Sequence, residues 1–315
     1  MQETYTNKRP DNFDDGISLQ DLIYVLLKKK WTIIYVTAFA SIIVVIYSLI
    51  LPNIYQSKAL LVPVKPSSNI SGALGNYGGL AGLAGISLPS DGDDGNSQKA
   101  IKKISSLSFF ENNFLPNIYL PDLMAVKSWD SKTNTLIYDK DIYDLKSNAW
   151  VRDYRYPQKQ VPSAQESYEI FLQEHLSLYE DKKSGFITLS VKHQSPFVAK
   201  QWNELIIDEV NNFYRLKDKL QSEKAVNYLN QQILLTSLSE IKEALANLLQ
   251  EQTEKLTLIE ANEFYVFDYI DPPVVMEKKS EPRRALICIF GALLGGVLSL
   301  LYVLIRHYAF NEKIS

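Results

Sequence analysis

WTIIYVTAFASIIVVIYSLIL, residues 31–51, and ALICIFGALLGGVLSLLYVLI, residues 285–305, contain no charged side chain, and roughly 230 water-compatible residues lie between them. At the helical rise of ~1.5 Å, about 21 residues cover roughly 30 Å, the thickness of a bilayer's hydrocarbon core, and a helix satisfies every backbone group there. Both stretches are predicted to span a membrane. A buried helix of a soluble protein rarely needs so long a charge-free run on all its faces. The first stretch is too long for a signal-peptide core and ends at Leu49-Ile50-Leu51-Pro52-Asn53 without a small-x-small cleavage pattern, so it reads as a retained signal anchor.

Orientation follows from the flanking charges. Lys28, Lys29 and Lys30 abut the first span, and basic residues beside a first span hold that side in the cytoplasm. The second span taken alone argues the other way, with Lys278, Lys279, Arg283 and Arg284 before it and Arg306 and Lys313 after it. The first span usually dominates, and long domains translocate largely regardless of charge. The resulting division is a cytoplasmic tail at 1–30, a span at 31–51, an extracytoplasmic domain at 52–284, a span at 285–305 and a cytoplasmic tail at 306–315.

Composition removes several functions. The formal net charge is −3 and the pI near 5.8, which leaves no basic footprint for nucleic acid. Cys288, the single cysteine, lies in the second span, so neither an intramolecular disulfide nor a thiolate metal site is expected.

Before the first span, Ser18 and Asp21 stand like a capping box, and Leu19, Leu22, Ile23 and Leu26 follow with helical spacing, predicting a short amphipathic helix in the lipid interface. Tyr55–Val64 has the character of a strand that stops at Pro63 and Pro66. From Ser67 to Asn96 glycines punctuate a low-complexity stretch. No Gly-Lys-Ser/Thr follows it, so it reads as a mobile loop carrying one apolar patch, Leu80-Ala81-Gly82-Leu83-Ala84-Gly85, and not as a phosphate loop. His175–Glu180 and Gly185–His193 read as two strands joined by Asp181-Lys182-Lys183-Ser184, with Ile187, Leu189 and Val191 on a buried face.

From Phe197 to Asp271 there is no glycine or proline. Ser195 and Pro196 supply an N-cap and a first-turn proline, and apolar residues recur at three and four from Val198 to Leu248. This predicts a very long helix over about 196–260, kinked near Asn211–Asn212 and roughly 95–100 Å long if unbroken. A compact domain of this size is only about 45 Å across, so such a helix must project. With no second helix of matching length, copies of the chain would cover its apolar stripe. A helical hairpin broken around Leu216–Gln221 is the alternative. Phe264–Ile270 should return as a strand and pair with the strand after the first span. The expected fold is α+β: two transmembrane helices flanking a periplasmic domain with a membrane-proximal mixed sheet and a very long projecting helix.

No constellation for catalysis, cofactor or metal emerges. His175 and His193 have no partner at metal-ligand spacing. Gly-x-Ser-x-Gly and His-Glu-x-x-His are absent, and Asp91, Asp93 and Asp94 lack the spaced oxygens and distal Glu of a calcium loop. The residues after Ile305 are too few for a kinase domain, and Tyr308 alone is no phosphotyrosine cluster. The chain is not expected to be an enzyme.

The approach to the second span, Pro273…Pro282-Arg283-Arg284-Ala285, and the pair Gly295-Gly296 resemble the proline-rich segment and glycine pair of Wzz-type polysaccharide co-polymerases, the O-antigen chain-length determinants. Ile17-Ser18-Leu19…Asp21-Leu22…Lys30-Trp31, Trp150-Val151-Arg152, Pro162-Ser163, Gln250-Glu251-Gln252-Thr253 and Tyr265-Val266-Phe267…Asp271-Pro272 are similar to other parts of that family. Met276, Glu281 and Ser299 depart from its pattern. In physical terms, Pro273 and Pro282 stiffen an extended approach to the membrane, Arg283 and Arg284 can meet lipid head groups, and Gly291, Gly295 and Gly296 let another helix come close. The resemblance implies a multi-pass protein of the bacterial inner membrane, without cofactor. It would assemble as a homo-oligomeric ring with coiled-coil character and work beside a Wzy-type polymerase, in contact with the growing polysaccharide, to set the modal length of lipopolysaccharide O-antigen. Its rivals are an exopolysaccharide or capsule co-polymerase serving a separate tyrosine kinase and export channel, and a non-carbohydrate periplasmic scaffold.

Overall fold

A computed structural model describes residues 19–64 and 95–311. The glycine-rich stretch up to Asp94, Ser18 of the expected capping box, and Asp91, Asp93 and Asp94 lie outside the described residues. The chain divides into two compact units, one formed by the two ends (Met1–Leu51 and Pro282–Ser315) and one by Pro52–Glu281.

In the unit of the two ends, α1 (Leu19–Lys28) precedes α2 (Lys30–Ile50), and α8 (Arg284–Asn311) packs along α2. Among the described residues, Lys30–Ile50 and Arg284–Arg306 are the two helices long and apolar enough to cross a membrane, and only 6% and 17% of their most apolar stretches are buried. Such exposure of Ile34, Phe39, Ile42, Phe290 and Leu293 suits side chains that meet lipid, not the core of a soluble protein.

The other unit is built on a four-stranded sheet, ordered β6-β7-β1-β8, of β1 (Tyr55–Pro63), β6 (Leu176–Glu180), β7 (Ile187–His193) and β8 (Phe267–Asp271). β1 runs antiparallel to both β7 and β8, as β6 does to β7. The expected pairing of the first and last strands is present, but the sheet is antiparallel throughout and not mixed. Among the described residues no strand of this sheet has a parallel neighbour. Asp181 closes the β6–β7 turn by accepting from Lys183 N–H at 2.9 Å and Ser184 Oγ at 2.8 Å, while Gly185 takes φ +72°, a conformation that costs glycine little.

Between β1 and β6 lie α3 (Gly95–Ile104), a run of helical turns over 107–117, α4 (Leu120–Met124), two small hairpins of β2 (Val126–Asp130) with β3 (Thr135–Tyr138) and β4 (Tyr143–Asp144) with β5 (Ala149–Trp150), and α5 (Ala164–Ile170). Phe109, Phe110, Phe114 and Phe171 from these helical pieces meet Leu61, Ile187, Leu189 and Val191 of the sheet and Trp202, Ile206 and Val210 of the long helix in one core.

That long helix is broken. α6 (Pro196–Leu235) and α7 (Ser239–Ala261) are separated by Thr236–Leu238 in extended conformation, and α7 folds back along α6. Lys219 Nζ lies 2.5 Å from Glu260, Arg215 donates to the carbonyls of Asn262 (2.9 Å) and Glu263, and Tyr265 donates to Asp218 at 2.6 Å. The expected unbroken helix over 196–260 is therefore corrected to an antiparallel hairpin, and its turn is nearer residue 237 than 216–221. α6 alone still has 40 residues, about 60 Å.

The helix runs without a break through Asn211–Asn212, where a kink is expected from the sequence, and Asn211 serves tertiary structure. Its Nδ2 donates to Phe267 O at 3.0 Å, and its Oδ1 accepts from Val266 N–H and Phe267 N–H at 2.7 and 3.0 Å. Asn203, fully buried, likewise donates to Ser57 O and Leu189 O, tying α6 to β1 and β7.

Candidate functional site

The two spans meet through small side chains. A Cβ on Gly291 would lie 2.5–2.9 Å from Val44 side-chain atoms, and one on Gly295 would lie 2.8 Å from the Ala40 methyl, whereas one on Gly296 would meet nothing within 4 Å. The antiparallel register continues to Thr37 and Ser299. Ser299 Oγ donates to Gly296 O at 2.7 Å, so at the 3.2 Å contact it accepts from Thr37 Oγ1. Gly291, Gly295 and Ser299 thus follow one another at four-residue spacing along one face, the small-residue arrangement that lets helix backbones approach in lipid.

Arg284 closes this pair at its other end. Its Nε donates to Ser48 O at 3.1 Å and its Nη2 to Leu51 O at 3.4 Å, satisfying carbonyls that the end of α2 leaves open and placing a cation at that helix's negative pole. Arg283 is exposed. Pro273 is buried within the other unit, beside Val274, whose carbonyl accepts from Ser57 Oγ at 3.1 Å. Pro282 contributes its carbonyl to the Arg284 N–H at 2.9 Å. Glu281, one of the departures from the family pattern, pairs with Lys192 of β7 at 2.6 Å, and its backbone bridges Ile54.

The hairpin arm formed by α6 and α7 presents a second surface. Leu229 and Ile259 are buried along it, whereas Leu216, Leu220, Leu234, Leu235, Leu238 and Ile241 are exposed. α7 supplies the companion that the sequence reading sought in other copies, so the apolar surface left over is a few leucines near the turn and along one side.

The histidines belong to the core. His175 and His193 lie 5.8 Å apart, each edge-on to Trp202. His193 Nδ1 accepts from Ser195 N–H at 2.9 Å, which fixes its proton on Nε2, where it donates to Asp122 O at 3.0 Å. His175 Nδ1 donates to Lys192 O at 2.7 Å. Burial pushes both down, His193 to about 3. Ser195 stands at the N-cap of α6 but makes no side-chain cap, using its backbone N–H on His193 instead. Among the described residues, no group of three or more His, Cys, Asp or Glu is placed to hold a metal ion.

A family model described as Wzz, chain length determinant protein, matches residues 15–112. This match, covering α1, α2, β1 and α3, supports the Wzz-type resemblance read from the residues. No curated protein matches the chain. Similar solved structures include a full-length bacterial polysaccharide co-polymerase, 14% identical with a TM-score of 0.42, covering 95% of this chain and 100% of that one. Another is a fragment of WzzB, polysaccharide co-polymerase from Salmonella Typhimurium, 11% identical with a TM-score of 0.30, covering 73% of this chain and 100% of that one.

Proposed function

We propose that this chain is a Wzz-type polysaccharide co-polymerase of the bacterial inner membrane. It regulates the chain length of lipopolysaccharide O-antigen, or a related surface polysaccharide, made by a Wzy-type polymerase, and makes no bonds itself. The observation that carries this reading is the family match over residues 15–112. Two antiparallel spans agree with it, because a chain that crosses and returns leaves both termini on one side, cytoplasmic by the lysines at 28–30, and the domain 52–284 in the periplasm.

Within this reading the chain from Pro273 through Pro282, Arg283 and Arg284 leads into the second span, Gly291 and Gly295 let that span pack on the first while Gly296 faces open space, and copies of the chain assemble as a ring through the domain and its arm. Exposed leucines on the arm support the assembly, since they would be covered at contacts between copies. Deleting the gene and separating surface polysaccharide by size tests the function. A lost or shifted modal length, restored by the gene in trans, is expected, and an unchanged profile refutes it.

A further inference from the structure

Residues 151–162, VRDYRYPQKQVP, contain neither helix nor strand, yet they are held by a dense set of bonds. Arg152 donates from Nε to Gln160 O at 3.0 Å, from Nη2 to Lys159 O at 2.6 Å and Glu166 Oε2 at 2.8 Å, and from Nη1 to Glu166 Oε1. Gln160 Nε2 donates back to Trp150 O at 2.7 Å. The Arg152 and Glu166 side chains are only 13% and 19% exposed, so the loop is tied down from beneath by a mostly buried bidentate ion pair.

Beside this pair opens a cleft of about 290 Å³, lined by Met124, Ile142, Trp150, Arg152, Asp153 and Glu166 among others. From the same loop Tyr154 and Tyr156 stand 57% and 92% exposed. A tyrosine nearly free of protein contact on a braced loop gains nothing from the fold. The bracing removes the ordering cost a ligand would otherwise have to offset.

The geometry points to a saccharide-binding cleft, one sugar ring seated against Trp150 between Asp153 and Glu166, with Tyr154 and Tyr156, which follow the lining residue Asp153 on the same loop, meeting the neighbouring units of the chain. A pyranose has C–H faces that lie on aromatic rings and hydroxyls at its edge that pair with carboxylates. The lining offers both, the Trp150 indole with its apolar face and the Asp153 carboxylate, beyond the two Glu166 oxygens that Arg152 engages. The volume is at the low end of the roughly 300–1,000 Å³ of small-ligand pockets. A second copy of the chain would require a face of about 800 Å² per partner instead. This assignment rests on the proposed function for its ligand, the polymer whose length is regulated.

The test is titration of the full chain, purified in detergent, with lipid-free polysaccharide released by mild acid from the source cells and cut to short oligomers, read by isothermal calorimetry. Wild type should bind saturably. The double variant Tyr154→Ala/Tyr156→Ala, altered only at exposed side chains, should bind about tenfold more weakly or worse. Tyr179→Ala, equally exposed on β6, should bind within about twofold of wild type. No saturable binding by wild type, or a double variant that binds like wild type, overturns the assignment. Because gene deletion tests length control without reference to the cleft, a changed polysaccharide profile together with absent binding removes this inference and leaves the proposed function intact.

Discussion

Replacing His193 by asparagine should flatten the acid sensitivity of the unit Pro52–Glu281 by an amount that follows from its surroundings. His193 is 1% exposed, held to Ser195 N–H through an unprotonated Nδ1 and to Asp122 O through Nε2–H, with Trp202 across its ring and His175 beside it. Burial raises the Asp122 carboxyl above its usual value, and the Glu174 charge acts on the His175 side of the pair. A proton on Nδ1 would face the Ser195 N–H donor to donor at the start of α6. The folded state therefore holds the group neutral, with its pKa lowered from 6.5 to about 3. A histidine depressed in this way contributes its full stability above the unfolded value and loses it as pH falls from about 6.5 toward 3. Between pH 7 and pH 5 the unfolded chain gains about three quarters of a proton at this residue that the folded chain does not, an integrated loss of about 2 kcal/mol. His175, shifted the same way, adds to it. Asparagine can offer Oδ1 to the Ser195 N–H and does not titrate. Urea unfolding of the detergent-solubilised chain, followed by tryptophan emission at pH 7, 6 and 5, should show wild type losing about 2 kcal/mol more than His193→Asn over that range. Parallel slopes for the two proteins would refute the buried neutral pair.

Three further outcomes are expected. Gly291→Leu, whose first added carbon already collides with Val44, should disturb the paired spans by about 1–3 kcal/mol and broaden the polysaccharide size distribution at normal membrane levels. Gly296→Leu, facing open space, should leave the ladder unchanged, and equal ladders from both would remove the packing account. Asn211→Ala leaves the Val266 and Phe267 N–H groups and the Phe267 carbonyl without their side-chain partner and should cost about 3 kcal/mol in urea unfolding. A cost below about 1 kcal/mol would show the α6–β8 tie to be dispensable. Cysteines introduced by Lys219→Cys and Glu260→Cys, in a Cys288→Ser background, should crosslink within one chain under mild oxidation. In an unbroken helix the two positions would be about 60 Å apart, so failure to crosslink would restore the rod.

The legible parts were those in which one pattern has one meaning. Two charge-free runs, the alternation of Ile187, Leu189 and Val191, and Pro196 opening a glycine-free stretch all specify their elements locally. The helix break did not announce itself in the same way. Thr236-Ser237-Leu238-Ser239-Glu240 contains no glycine or proline, and its only marks are hydroxyl residues able to compete for backbone bonds, as Thr236 Oγ1 does on Gln232 O at 2.7 Å. What fixes the fold-back lies far off in sequence, in Arg215, Asp218 and Lys219 meeting Asn262, Tyr265 and Glu260. The glycines in the second span were readable as a close-approach face, but not whose helix would approach. The answer, α2 of the same chain, depends on Thr37, Ala40 and Val44 falling into register with them. The loop 151–162 left a sequence mark only as a small family motif, because its shape is set by the five bonds that Arg152 and Gln160 make.

The hairpin also changes what the proposed assembly would look like. A lone rod with an apolar stripe has to be covered along its whole length, which is the geometry of a coiled coil between copies. Here the first half of α6 is spent on the sheet, through Trp202, Ile206 and Val210, and the second half is lined by α7, with Leu229 and Ile259 between them. What remains for another copy includes Leu216, Leu220 and Tyr228 along α6 and Leu234, Leu235, Leu238 and Ile241 around the turn. Arms joined through such patches meet as pairs of helices, touching along a flank and at the tip. Charge substitutions at Leu216 and Leu220 would then weaken the proposed ring without unfolding the domain, whereas the same change at Leu229 or Ile259 would separate α7 from α6.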